Sequence, residues 1–120
     1  MMIITEIEEY NETAHEAIVK VSDGFYTVEC FSQPCLFQTG IEWVEPLECL
    51  NVYNIYVDDS NERLSKLNVF MYEIVGTLSN RNKGIVNVGD LSFHINAQLI
   101  PKDICEGQRI YFVTDRIDIY

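Results

Sequence analysis

The sequence predicts an all-β protein, either a single-domain antiparallel β-barrel or a two-sheet sandwich built around two hairpins. Apolar and polar residues alternate along much of the chain, β-branched and aromatic residues are frequent, and Asp-Gly and Gly-Asp pairs interrupt the alternation. A length of 120 residues suits one hydrophobic core and is too short for two ordinary ones. We therefore expect one β-rich domain over residues 1–120, with no helix longer than about three turns.

The first hairpin lies in the stretch IVKVSDGFYTVE, from Ile18 to Glu29. A two-residue loop at Asp23-Gly24 would place Val21 opposite Tyr26. The side chains that then share one face are mostly apolar: Ala17, Val19, Val21, Tyr26, Val28 and Cys30. We expect this face to pack against the core.

The second hairpin lies in IVNVGDLSFHI, from Ile85 to Ile95, with Gly89-Asp90 as its loop. This register gives one apolar face, formed by Val86, Val88, Leu91 and Phe93. It leaves a wetter face, formed by Asn87, Ser92 and His94. The sequence therefore predicts two amphipathic β-hairpins of the same kind, one in each half of the chain.

Three further segments have strong strand patterns. The stretch from Leu47 to Val57 has apolar residues on both faces, and Asn51 and Asn54 interrupt it, so it predicts a central, bent strand. Val69 to Leu78 predicts another strand, and a last strand runs from Gln108 toward Tyr120.

Two segments are more ambiguous. In the opening segment, Ile3, Thr5 and Ile7 would share a strand face, whereas a helix would align Ile3, Ile7, Tyr10 and Ala14; the pattern favours the strand slightly. The segment 58–68 is the most loop-like, with one helical turn near 63–67, and we expect it to be the hinge between the two halves.

The order of elements from Val69 to Tyr120 is strand, hairpin, connector and terminal strand. This order resembles a small Greek-key barrel of the OB type. The likeness concerns architecture, and it implies nothing about function.

The charge is unevenly distributed. Residues 1–62 hold thirteen acids against one base, which gives −12, and residues 63–120 hold six acids against seven bases, which gives +1; the sum is the net −11. A strongly acidic half attracts basic partners and repels the phosphates of nucleic acid. We therefore expect no nucleic-acid binding, even if exposed aromatic side chains resembled a stacking surface.

The candidates for such a surface are aromatic residues in the strongest strands, for which core packing is the favoured interpretation: Tyr53, Tyr56, Phe70, Tyr72, Tyr111 and Phe112. The first ten residues lack the pattern of a signal peptide, and no apolar run reaches membrane-spanning length. We expect a cytoplasmic protein that has no membrane partner.

The four cysteines, Cys30, Cys35, Cys49 and Cys105, should accordingly be free thiols, packed as small apolar side chains. Their spacing differs from that of a structural zinc site, so we expect no metal and no cofactor. The sequence also predicts no catalytic residue. His94 lies near Ser92 on a strand face, but such neighbours are common, and the interpretation as an exposed or hydrogen-bonded imidazole is favoured.

Unusual features meet in one segment, GIEWVEPLE, from Gly40 to Glu48. The only tryptophan of the chain, Trp43, lies there among glutamates, and Pro46 stiffens the backbone. Aromatic anchors surrounded by charge are common at protein interfaces, although a tryptophan that plugs one end of a barrel would give the same pattern. The predicted partner-binding residues are Glu42, Trp43, Glu45, Glu48, Asp58 and Asp59, and we expect the glutamates to be exposed.

The first functional hypothesis is a non-enzymatic acidic protein that engages a basic protein partner, as inhibitors and immunity proteins of basic toxins or nucleases often do. The alternatives are a small enzyme or small-molecule-binding β-barrel, or a structural subunit of an assembly whose edge strands are covered by neighbours. The sequence leaves the oligomeric state open.

Overall fold

Nearly all regular structure in the computed structural model, which describes residues 1–33 and 37–120, is β-strand. The strands are β1 (Met2–Asn11), β2 (Glu16–Ser22), β3 (Thr27–Ser32), β4 (Glu42–Trp43), β5 (Leu47–Val57), β6 (Arg63–Lys66), β7 (Tyr72–Asn80), β8 (Ile85–Val88), β9 (Leu91–His94) and β10 (Arg109–Asp118). The described residues contain one short 3₁₀ turn, Ala97–Leu99, and no α-helix. The all-β prediction is confirmed.

Five of these strands close into a barrel, in the circular order β5, β9, β8, β7, β10 and back to β5. Strands β7, β8 and β9 follow one another as hairpins, and β10 returns to lie beside β7. This is the Greek-key arrangement. The barrel alternative of the prediction is therefore confirmed.

The barrel is not purely antiparallel, because β5 and β9 run parallel. The other four neighbouring pairs of the ring are antiparallel. Five strands in a closed ring cannot alternate in direction all the way round, so one parallel pair is unavoidable. The position of the parallel pair in the ring decides which side chains of β5 and β9 lie next to each other.

The first four strands extend the sheet beyond the barrel in the order β4, β1, β2, β3. Strand β3 joins the barrel alongside the end of β10, where Phe31 is the register partner of Asp118. Apolar side chains of both parts belong to one continuous core, from Ile4 and Val19 to Phe93 and Phe112. The molecule is consequently elongated, 45 × 25 × 24 Å.

The first hairpin has a longer loop than predicted. Val21 pairs with Val28 instead of Tyr26, because the loop contains four residues, Asp23 to Tyr26. The Asp23 side chain accepts hydrogen bonds from the amides of Phe25 and Tyr26 and stabilises this wider turn. Since the register shift is two residues, the predicted face is unchanged, and its members from Ala17 to Cys30 are buried except for the half-buried Tyr26.

The second hairpin has the predicted register, with Val88 opposite Leu91. Its turn packs against the first one, since the amide of Asp90 donates a hydrogen bond of 2.9 Å to Asp23 Oδ2. Gly89 permits this approach: it has a φ of 56°, and a Cβ atom there would lie 2.5 Å from the same oxygen. The two similar hairpins thus contact each other through their turns.

Strand β5 is long and lies between β10 and β9, in agreement with the prediction of a central strand, and Asn51 and Asn54 interrupt its extended backbone with φ values of 51° and 58°. Strand β1 also agrees with the expectation. The prediction of a helical turn near 63–67 was wrong, because residues 63–66 form strand β6, which pairs with β7. Tertiary pairing overrides the weak local helical pattern there, and the segment connects two barrel strands.

Cys30 and Cys49 are buried and Cys105 is exposed; all three are free thiols, and Cys35 lies outside the described residues. Core packing is confirmed for two of the aromatic candidates, Tyr72 and Phe112. It is wrong for Tyr53 and Tyr56, which are exposed on β5.

Candidate functional site

An imidazole and a carboxylate meet where the two parallel strands of the barrel pair. Glu48 on β5 and His94 on β9 are register partners. The Nδ1 atom of His94 lies 2.7 Å and 2.8 Å from the two carboxylate oxygens of Glu48. The side chains remain 37% exposed for His94 and 32% for Glu48. The carboxylate therefore fixes the orientation of an imidazole that solvent can still reach.

A cavity of about 380 Å³ opens on one side of this pair. We call it the Trp43 cleft, and its lining residues are Trp43, Glu45, Pro46, Glu48, His94 and Tyr120. Its volume is within the range of pockets that hold small ligands or single side chains. A tryptophan, a tyrosine, a proline, an imidazole and two carboxylates thus line the same space.

Trp43 is held in place from two directions. Strand β4 pairs with β1 so that Trp43 is the register partner of Met2. The indole is half-buried against the core and forms an edge-to-face contact with Phe37, with 4.8 Å between ring centroids. Its Nε1 atom is buried without a hydrogen-bond partner among the described residues. Trp43 therefore packs like a core residue on one side and lines the cleft on the other.

A second, shallower cavity of about 700 Å³ lies on the other side of the pair. Its lining residues are Glu48, Cys49, Asn82, Lys83, Ile85, His94, Asn96 and Ala97. Lys83 is the lysine of its lining, whereas none of the described residues that line the Trp43 cleft is a lysine or arginine. The Glu48–His94 pair therefore separates a cavity with a basic group from one with two carboxylates.

No match came from a scan against protein-family models or from searches of curated proteins and solved structures. The residues of the site have to be interpreted from their own geometry.

The pair has one element of a catalytic site, a base oriented by a carboxylate. The thiol in the lining of the second cavity is that of Cys49, and burial, helped by the nearby charge of Glu48, raises its pKa far above the usual range. A thiol that stays protonated is a poor nucleophile. Cys49 is therefore a poor candidate for a nucleophile activated by this pair.

The structure brings together three of the predicted partner-binding residues, Trp43, Glu45 and Glu48, around the cleft. Glu42 is exposed on β4, next to Trp43. The prediction that Glu48 would be freely exposed was wrong, because parallel pairing with β9 places it against His94 and half-buries it.

The two predicted aspartates lie elsewhere. Asp58 and Asp59 follow the far end of β5, and a strand rise of about 3.3 Å per residue puts them roughly 30 Å from Glu48 along that strand. The carboxylate of Asp58 accepts hydrogen bonds from the hydroxyl and the amide of Ser60, which lower its pKa. Asp58 therefore stabilises a turn, and neither aspartate lines the cleft.

The sequence did not indicate that His94 and Tyr120 would line the same cavity as Trp43. His94 is 46 positions from Glu48, and only the parallel pairing of β5 and β9 brings them together. Tyr120 reaches the cleft because β10 runs beside β5.

In the ranges 1–33 and 37–120, no helix is long and apolar enough to cross a membrane. The same residues contain no group of three or more histidine, cysteine, aspartate or glutamate side chains that could hold a metal ion.

Proposed function

We propose that this is a non-enzymatic binding protein whose acidic N-terminal half holds a basic protein partner. The observation that carries the proposal is the Trp43 cleft, an aromatic cavity with two carboxylates in its lining. The charge of −12 on residues 1–62, against +1 on the rest, adds a long-range attraction for a basic surface.

The surroundings of the cleft have the composition of a protein interface. Val44, next to Trp43 in sequence, is 75% exposed, and Tyr120 is 73% exposed. Glu42 and Glu45 are exposed beside them. An apolar centre with a charged rim is typical of interfaces, and tryptophan and tyrosine are over-represented among the residues that dominate binding energy.

Charge of this kind acts mainly on association. Complementary charges raise the rate of encounter, and salt reduces that gain as the Debye length falls below about 10 Å. The association rate with a basic partner should therefore fall as salt rises from about 50 to about 300 mM.

The test compares two double variants with the same change of net charge. Glu42→Lys with Glu45→Lys reverses the rim of the cleft, while the half-buried Glu48 is left unchanged. The control, Glu12→Lys with Asp103→Lys, changes exposed side chains elsewhere: Glu12 lies beyond the far end of β1, and Asp103 lies beside Tyr56.

Partners purified from the native host with the wild-type protein are identified, and their association rates are then measured directly. A basic partner that associates about tenfold more slowly with the rim variant than with the control supports the proposal. An acidic or neutral partner, or equal rates for both variants, contradicts it. Trp43→Ala is less informative here, because the indole also packs against the core and its removal would lower stability and binding together.

The second candidate function, a small enzyme or small-molecule-binding barrel, is favoured by the oriented His94 imidazole, which lines both cavities. A metabolite that protects the protein against thermal unfolding only while His94 is present would support this alternative.

A further inference from the structure

We infer that the Trp43 cleft binds one arginine side chain of the partner. This inference rests on the proposed function, because it names the chemical group of a basic protein that enters the cleft. It goes further in assigning one side chain type to one cavity.

The walls of the cleft match the two surfaces of a guanidinium group. Trp43 and Tyr120 provide aromatic rings, and Pro46 adds an apolar wall. The flat faces of a guanidinium stack on aromatic rings, while its edge donates paired hydrogen bonds to carboxylates. Both kinds of acceptor surface are present in this one cavity.

The carboxylate charge in the cleft is available to a ligand. Within the described part of the chain, Glu45 makes no ion pair and no hydrogen bond. Glu48 accepts from one imidazole nitrogen, and each of its oxygens keeps a further lone pair. Lys83, on the other side of the pair, lines the second cavity and not this one. A cation entering the cleft would therefore meet negative charge that no lysine or arginine of the lining already neutralises.

Arginine fits this arrangement better than lysine. An ammonium group is a strongly hydrated point charge that loses much of its hydration on entering a partly apolar cavity. A guanidinium is more weakly hydrated and spreads its donors over a planar fork, so it can contact a ring and two carboxylates at once. The cleft should accordingly discriminate between the two cations.

The chain offers a reporter for this cavity, because Trp43 is its only tryptophan and lines the cleft. The probes are the N-acetyl methylamides of arginine, lysine and citrulline, and citrulline has nearly the shape of arginine without the charge. Tryptophan emission is recorded during each titration. The arginine probe should give a saturable change in the millimolar range, with affinity at least about tenfold higher than that of citrulline and higher than that of lysine.

The variant Glu45→Gln removes one carboxylate charge from an exposed side chain and should weaken the arginine probe about threefold or more. Glu12→Gln is the matched control outside the cleft and should leave the affinity unchanged. Far-ultraviolet circular dichroism of each variant shows whether the fold is kept.

The outcomes separate this inference from the proposed function. Equal binding of citrulline and arginine, a preference for lysine, or no effect of Glu45→Gln overturns the inference. A basic partner whose association depends on salt, combined with no response to the arginine probe, overturns the inference and leaves the proposed function standing. Selective binding of the arginine probe together with an acidic or neutral partner overturns the proposed function and leaves the preference of the cleft for arginine standing.

Discussion

Replacing Asp23 with alanine should remove the contact that joins the two hairpin turns. The carboxylate of Asp23 accepts hydrogen bonds from three backbone amides: those of Phe25 at 2.9 Å, Tyr26 at 2.7 Å and Asp90 at 2.9 Å. The first two close its own loop, and the third comes from the other hairpin. The perturbation therefore tests both the four-residue loop and the docking of the N-terminal sheet on the barrel.

The expected loss of stability follows from these three bonds. Hydrogen bonds to a charged group contribute about 1.5–3 kcal/mol each where water is excluded. Asp23 is only half-buried and Phe25 is exposed, so water can replace part of each bond, and we take about 1 kcal/mol per bond. Asp23→Ala should then lower the free energy of unfolding by about 3 kcal/mol, and Asp23→Asn, which keeps one acceptor oxygen, by about half as much.

The loss should depend on pH with a definite sign. Burial acts to raise the pKa of Asp23, but the amide hydrogen bonds from Tyr26, Asp90 and Phe25 outweigh it, so its pKa lies below the usual value of 3.8. A group whose pKa is lowered by folding stabilises the folded state above its unfolded-state value and loses this contribution as pH falls through its folded-state value. The difference between wild type and Asp23→Asn should therefore be full at about pH 7 and shrink below about pH 4.

Urea unfolding, followed by tryptophan emission and circular dichroism, measures both effects. Asp59→Asn is the control, because Asp59 is exposed and makes no hydrogen bond within the described ranges. A loss smaller than about 0.5 kcal/mol for Asp23→Ala would refute the reasoning, since that is the range of ordinary surface substitutions. If Asp23→Asn lowered the free energy of unfolding by the same amount at neutral and acidic pH, the predicted contribution of the Asp23 charge would be refuted.

Three further predictions concern the barrel. Arg81→Ala should lower the free energy of unfolding by about 2 kcal/mol in urea, because its guanidinium donates to carbonyl oxygens of the connector before β10, and Arg81→Lys should not restore it. Gly84→Ala should be at least as destabilising in the same assay, because Gly84 has a φ of 70° and a Cβ atom there would lie 2.1 Å from the carbonyl oxygen of Ile95. The hydrogen bond to Glu73 raises the pKa of Tyr111 to about 12, so this contribution to stability is present below pH 10 and is lost as pH rises through 12. An absorbance titration should show a tyrosine ionising near that value; Tyr111→Phe should remove this component, and its persistence would contradict the assignment.

The parts of the fold that the sequence predicted correctly depend on local signals. The second hairpin has the expected register because Gly89 adopts a positive φ, so a two-residue loop can close. The backbone of β5 departs from the extended conformation at two asparagines, residues that tolerate the left-handed conformation. The first hairpin differs because a side chain, and not the Asp-Gly pair alone, closes its loop. The observed register differs from the predicted one by two residues, and an even shift keeps the same side chains on the buried face.

The candidate site could be predicted only in part, because only part of it is local in sequence. Trp43, Glu45 and Pro46 are neighbours along the chain, and their composition alone indicated a binding segment. The Glu48–His94 pair depends on a strand pairing that no alternation or turn motif encodes. The predicted residues Asp58 and Asp59 lie beyond the far end of β5, so the length of that strand separates them from this segment.

The parallel pair of the barrel explains why the candidate site contains residues from both the acidic half and the near-neutral half of the chain. A closed ring of five strands needs one parallel pair, and in this chain it joins β5, from the acidic half, to β9, from the near-neutral half. In the parallel register, the first two residues of β5, Leu47 and Glu48, pair with the last two residues of β9, Phe93 and His94, so the polypeptide that leads into β5 arrives where β9 ends. That leading segment carries Trp43 and Glu45. The position of the parallel pair therefore brings His94 to the acidic segment: with the parallel pair elsewhere in the ring, Glu48 would have no imidazole to orient.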